Sequence, residues 1–241
     1  MQEKTLDDIL VIQHEFVKHD FPISKYENQI INHIANRDPI AVKRLENFWT
    51  VGSASYKDKP LYSEHDYGEY VRKMNWHMMD AFKELYIEQL HFFEDLLSAR
   101  CKYREDVSLP GFHAFRGCKA FEEPLARPHV DIPHNLFDWG QHSSYDTIFT
   151  HVTPVTIPQG AGMYVWPVTS EDISHHGIAN IKQLLPEIEA STFLHEKDKL
   201  VKHSGRWLHQ IKPFLPGQEG QWRITLQAHA ILLDDVWNLY W

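Results

Sequence analysis

Residues 146–169 read DTIFTHVTPVTIPQGAGMYVWPVT, and the texture of that stretch decides the fold class. Short runs rich in Thr, Val, Ile and aromatic residues are cut by Pro154, Pro158, Gly160 and Gly162. That punctuation suits the strands of a sandwich or barrel. Beyond it, HGIANIKQLLPEIEA (176–190) predicts a helix. Strands resume at GRWLHQIKPF (205–214), QWRITLQAHAILL (221–233) and VWNLYW (236–241). Upstream of SLPGFHAF (108–115) the pattern is helical. Apolar positions from Leu6 to Phe16 predict a first amphipathic helix closed by Pro22, and a shorter one follows over about 26–34. FWTVGSASY (48–56) alternates like a strand. Val71, Met74, Met78, Phe82, Leu85, Leu90, Phe93 and Leu97 mark one face of a long helix over about 66–100. The expected architecture is α+β, a single domain over 1–241. It has a mainly helical portion at 1–105, a β-rich core at 106–241 and a helical insert near 176–200.

Composition narrows the function classes. The chain has 241 residues, 43% of them hydrophobic, enough for one full core. A net charge of −9 and the lack of any Lys/Arg cluster argue against a nucleic-acid partner, whose phosphates require cationic neutralisation. No apolar run approaches the length of a membrane span, and the first residues lack the apolar core of a signal peptide. A cytoplasmic protein with no membrane partner is expected, and a homodimer is open to it. Cys101 and Cys118 lie in no CxxC or secreted-framework pattern, so reduced thiols are the simplest reading. The 17 His suit metal ligation, although most must be bystanders.

ARPHVDIPH (126–134) holds the sharpest pattern. In an extended segment, which Pro128 favours, His129 and Asp131 point to the same side and present one nitrogen and one oxygen ligand together. Two His and one carboxylate on one face of a metal, with the opposite positions open, is the arrangement of non-haem Fe(II) oxygenases. The third donor is then a distant histidine on a later strand. His209 in GRWLHQI is favoured, with His203 as the alternative. In WRITLQAH, Arg223, Thr225, Gln227 and His229 share one face, and a guanidinium beside a hydroxyl suits a carboxylate. His113, His134 and Trp139 are candidates for contact with substrate.

The order His129, Asp131, His209, Arg223, Thr225 resembles the Fe(II)/2-oxoglutarate-dependent dioxygenases over about the last 135 residues. LPGFHAF, GMYVWP and RITLQAH are similar to small bacterial enzymes of that superfamily that act on free amino acids, the lysine halogenases and their hydroxylase relatives. The resemblance implies a double-stranded β-helix (jelly-roll, cupin-like) core with N-terminal helices packed on it. It implies Fe(II) on His129, Asp131 and His209, and 2-oxoglutarate with its distal carboxylate on Arg223 and Thr225. Dioxygen would complete the reaction, with release of succinate and CO2. The halogenases carry Gly or Ala in place of the carboxylate ligand, so Asp131 implies hydroxylation or a related oxidation of a small polar metabolite, an amino acid or derivative. Two other classes fit part of the pattern: a Zn(II) hydrolase, which leaves Arg223 without a task, and a non-catalytic cupin-like binding protein.

Overall fold

The computed structural model describes residues 15–124, 126–139 and 147–241. All but the last two residues of the helix expected over Leu6–Phe16 lie outside that range. The chain enters on β1 (Val17–Asp20), passes a 3-10 turn into α1 (Glu27–Ala35), and forms the hairpin β2 (Ala41–Leu45) and β3 (Phe48–Val51). A single helical turn, α2 (Ser55–Asp58), precedes the long α3 (Glu64–Leu97), then β4 (Arg100–Tyr103) and β5 (Gly111–Arg116). The rest of the chain gives β6 (Ile148–Thr156), β7 (Gly162–Thr169), α4 (Ser170–His176), α5 (Ile178–Leu184) and β8 (Ser191–Leu194). β9 (Lys199–His203), β10 (Trp207–Ile211), β11 (Trp222–Leu233) and β12 (Val236–Tyr240) complete it.

Two sheets face each other. The larger runs β1-β9-β6-β11-β5-β3-β2, with β12 on the far part of β11 and β4 parallel to β12; the smaller is β10-β7-β8. Their strands are otherwise antiparallel, and β11 is long enough to pair with β5, β6 and β12. Its period of two divides the molecule. Ile224, Leu226, Ala228 and Ala230 are fully buried. Three of them, Ile224, Leu226 and Ala230, pack in one core with Met78, Phe82 and Phe93 of α3. Arg223, Thr225, Gln227 and His229 occupy the alternate positions of β11.

α3 starts where the Ser63 side chain accepts from the Asp66 N–H and stops at Ser98, in the left-handed region with φ 48°. Among the described residues, no helix is long and apolar enough to cross a membrane. The strand expected over 48–56 ends at Val51, because Gly52 turns the chain at φ 100° and Ser55 begins α2. The helical insert occupies Ser170–Glu187, and strands take up 191–203. Thr169 sets its start, its hydroxyl accepting from the Asp172 N–H while the Asp172 carboxylate accepts from the Thr169 N–H, a reciprocal cap. The first 105 residues hold α1 to α3 and also β1 to β4, which are built into the large sheet. Both cysteines are free.

Asp58, buried at the end of α2, ties this corner together. Its carboxylate accepts from Arg44 Nη1 at 2.5 Å and Nη2 at 2.7 Å, from Ser53 Oγ at 3.1 Å and from the Ala54 N–H at 3.0 Å. Removing one partner of such a pair strands the other charge. Asp58→Ala should therefore cost about 3 kcal/mol of unfolding free energy, read by urea denaturation; a loss under about 1 kcal/mol would show the pair to be dispensable.

A second prediction concerns His151 of β6, fully buried against Phe93 at 4.8 Å between ring centroids. Burial, reinforced by the charges of His229 and His203, pushes its pKa down to about 3. The unfolded chain takes up this proton near 6.5, so below that pH the unfolded state holds more protons. Stability should fall as pH drops from about 6.5, by up to about 1.4 kcal/mol per pH unit for this group, and be flat above it. His151→Leu should flatten the urea midpoint between about pH 4 and 6; an unchanged acid slope would remove His151 from that account.

Candidate metal centre

The segment around His129 is held against β10 by backbone pairing. The His129 N–H donates to the His209 carbonyl at 2.9 Å, the His209 N–H returns the bond at 2.8 Å, and the Asp131 N–H donates to the Gly205 carbonyl at 2.8 Å. Instead of the expected strand, the segment forms an isolated antiparallel bridge. Pro128 and Pro133 have no N–H to offer, which keeps the ladder short. Gly205, at φ 76°, is the point of closest approach. A Cβ there would lie 3.0 Å from Asp131 Cβ and 3.0 Å from Thr150 Oγ1, so glycine seats the carboxylate. The register of β10 on β7 shifts between Trp207 and His209.

This pairing brings three ligand atoms together, one each from His129, Asp131 and His209, all within 4.8 Å of one another. His209 Nε2 stands 3.6 Å from Asp131 Oδ2, and His129 Nε2 3.9 Å from Asp131 Oδ1. The tautomers follow from the partners of the other ring nitrogens. His129 Nδ1 donates to the Arg127 carbonyl at 2.8 Å and His209 Nδ1 to the Trp207 carbonyl at 2.8 Å. A carbonyl only accepts, so each Nδ1 carries the proton and each Nε2 turns a lone pair toward Asp131. Burial alone would raise the Asp131 pKa. His209, His229, His129 and His203 around it win, and hold the carboxyl well below the usual range.

His203, the alternative ligand, has the opposite tautomer. Its Nδ1 accepts from the Gly205 N–H at 3.1 Å, which leaves the proton on Nε2, 4.0 Å from Asp131 Oδ2. A protonated Nε2 has no lone pair to offer a metal, and here it has no hydrogen-bond partner among the described residues. His209 is thus the histidine presented for coordination, and the residues fit a divalent ion with two imidazoles and one carboxylate.

The three residues stand on the wall of a cavity of about 600 Å³ between the sheets. Phe48, Phe115, Phe121 and Ile211 give it an apolar side; His195, His203, Thr225 and Gln227 give it a polar one. Thr225 Oγ1 accepts from Gln227 Nε2 at 2.8 Å, and Thr150 Oγ1 lies 2.9 Å from His229 Nδ1. Both ring nitrogens of the buried His195 lack a partner among the described residues.

Arg223 is 1% exposed and stands behind the cavity wall, not on it. Nη1 donates to the Lys212 carbonyl and Nη2 to the Gly162 carbonyl, each at 2.7 Å, next to the lining residues Ile211 and Met163. Nε has no partner, and no carboxylate among the described residues pairs with the guanidinium. Burial pushes its pKa down to about 9, the signature of a buried cation without a counter-ion.

Of the residues expected against substrate, only His113 lines the cavity, with Nε2 2.7 Å from Tyr56 Oη. His134 and Trp139 do not. The Trp139 indole N–H donates to the His134 carbonyl at 2.7 Å, and its ring packs with Tyr240 at 5.0 Å, sealing a core that includes Val107, Ile148 and Ile231. In the 3-10 turn over Pro133–Leu136, Pro133, Asn135 and Leu136 line the cavity, while His134 is buried outside the lining. His195, one of the later histidines considered as a third ligand, lines the cavity, and so do Tyr56 and Lys57, which the sequence pattern does not mark. Strand alternation had placed Gln227 and His229 on the same face as Arg223, but α2 is too short to carry a periodic signal.

No protein-family model matches the chain, and no curated protein matches it in sequence. Two similar solved structures are described as a novel N-substituted L-amino acid dioxygenase from Burkholderia ambifaria AMMD and the same enzyme in complex with alpha-KG. The first superposes with a TM-score of 0.57 at 13% identity, covering 94% of this chain and 86% of that one. The second gives 0.54 at 12% identity, covering 97% and 90%. At such identity the likeness is one of fold, and the chain has the α+β architecture with a double-stranded β-helix core found in these dioxygenases.

Proposed function

We propose that the chain is a non-haem Fe(II)- and 2-oxoglutarate-dependent oxygenase that hydroxylates a C–H bond of a small metabolite, an amino acid or amino-acid derivative. The observation that carries this reading is the pair of imidazoles with their Nε2 lone pairs turned toward one ionised carboxylate, on the wall of a largely apolar cavity. A zinc hydrolase would use the same three residues, but would leave the buried, uncompensated Arg223 unexplained. The substrate and cosubstrate named for the Burkholderia structures support the choice.

His129, Asp131 and His209 would hold the iron, whose chemistry when bound would be activation of dioxygen coupled to conversion of 2-oxoglutarate into succinate and CO2. The chain's residues bind, orient and exclude water. The Arg127 and Trp207 carbonyls fix the ligand rings, and Gly205 lets Asp131 sit close beneath them. Thr225, with Arg223 directly behind, offers a hydroxyl and an unpaired positive charge to the distal carboxylate of 2-oxoglutarate. Phe48, Phe115 and Phe121 keep the reacting end dry. A carboxylate at 131 fills the position that halogenases leave to halide, which favours hydroxylation or a related oxidation over halogenation.

His129→Ala, Asp131→Ala and His209→Ala should each weaken Fe(II) affinity by more than the roughly 100-fold that loss of an outer-sphere partner costs. His203→Ala should keep it within a few fold. Anaerobic equilibrium dialysis with Fe(II) reads both, and loss of metal only in His203→Ala would reverse the ligand assignment.

Arg223→Ala should raise the 2-oxoglutarate Kd by about 3 kcal/mol, roughly a hundredfold, with iron affinity kept. Arg223→Lys should recover only part, since an ammonium lacks the planar fork. Titration of 2-oxoglutarate into anaerobic Fe(II) protein measures this. An alanine variant that binds as tightly as the parent would favour the hydrolase, which succinate formation by the parent enzyme would in turn exclude.

A further inference from the structure

The charges on the cavity wall are unbalanced. Beyond the histidines and the neutral Tyr56, its ionisable lining among the described residues is Lys57, Arg127 and Asp131, and Asp131 belongs to the candidate metal group. Among the described residues the wall therefore holds two cations and no carboxylate free to meet a positively charged ligand.

Lys57 is the better placed of the two cations. It lies on α2, half-buried, with Nζ 5.2 Å from the centroid of the Tyr56 ring and 5.6 Å from that of Phe48. The carboxylate next to it in sequence is not its partner: both oxygens of Asp58 are engaged by Arg44. No ion pair joins Lys57 to any described acid. A half-buried ammonium beside two rings, without an ion-pair partner among the described residues, is a seat for an anion. Its pKa is lowered, first by burial and then by the Arg44 charge, as that situation demands.

The surroundings restrict the rest of the ligand. Leu45, Phe48, Phe115 and Phe121 line the wall with Lys57, giving apolar surface for a hydrocarbon or aromatic group. The Tyr56–His113 pair is neutral, because burial pushes the His113 imidazole down to about 3 and holds the Tyr56 phenol above its usual range. An α-ammonium group entering here would give up its hydration for Lys57, Arg127 and rings, with no acid to receive it.

We propose that the substrate is a carboxylate with an apolar body and no free ammonium group, its carboxylate seated on Lys57. An amino acid acylated on nitrogen meets this description, and so does a simple aryl or alkyl acid; a free amino acid does not. The inference rests on the oxygenase reading for what happens to the substrate, and on the cavity alone for what binds.

The test is calorimetric titration of the anaerobic Fe(II)- and 2-oxoglutarate-loaded protein with N-acetyl-L-phenylalanine, 3-phenylpropionate and L-phenylalanine. At least one of the two ammonium-free acids should bind about tenfold or more tighter than L-phenylalanine. Lys57→Met should weaken that acid by about tenfold and leave Fe(II) affinity unchanged. L-Phenylalanine binding as tightly as both acids, no binding by either acid, or a Lys57→Met protein equal to the parent would each overturn the proposal. Tight, Lys57-dependent binding of an acid with no succinate formed in air would uphold it and remove the oxygenase reading instead.

Discussion

The mutual hydrogen bonds between the backbones of His129 and His209 are the constraint on which the site depends. They join an irregular connection to the first strand of the smaller sheet, and each bond fixes a Cα from which a ligand ring projects. Without them, His129 and Asp131 would sit on a segment bounded by prolines with no ladder to hold it. With them, two side chains from distant parts of the sequence meet a third to within the span of one ion. The Asp131 bond to Gly205 completes the register. The shape of the cavity then follows from β11, whose alternate residues serve the α3 core and the opposite face.

Charge is distributed with a similar economy. Arg44 and Asp58 cancel each other at the corner beside the cavity, which isolates Lys57 from the nearest acid. On β11, Arg223 has the Lys212 and Gly162 carbonyl dipoles for two of its N–H groups and, among the described residues, no carboxylate to offset its charge. A carboxylate-bearing ligand is the natural complement at both places. Lys57 thus stands on the cavity wall and Arg223 behind it, two positive charges without an ion-pair partner among the described residues.

Much of this was legible in the sequence because strands write their faces at a period of two. The HxD spacing and the alternation in WRITLQAH both rest on that rule, and β10, β11 and β12 fall where their apolar runs lie. What stayed hidden depends on partners, not period. β1, with the sequence VKHD, has no apolar alternation, and is a strand because β9 offers it an edge. Lys57 and Tyr56 reach the cavity on one helical turn, shorter than any pattern can mark. His134 and Trp139 stay off the cavity although Pro133, Asn135 and Leu136 line it, because the Trp139 indole bonds to the His134 carbonyl and its ring packs on Tyr240. The choice between His203 and His209 turned on which ring nitrogen meets a carbonyl and which meets an N–H.

Each ligand histidine is held in its tautomer by the carbonyl two residues before it in its own chain. Many metal sites hand that task to a separate acid or amide side chain, which then has to be inherited along with the ligands. Here the orienting atoms belong to the backbone, and no point substitution deletes a carbonyl. The cavity wall is accordingly free to vary: Phe48, Lys57 and Phe121 make none of the bonds that orient the two candidate ligand rings. A site of this construction has a heritable centre and a replaceable rim, so descendants of one ancestor can acquire new substrates while the ligand rings keep their orientation.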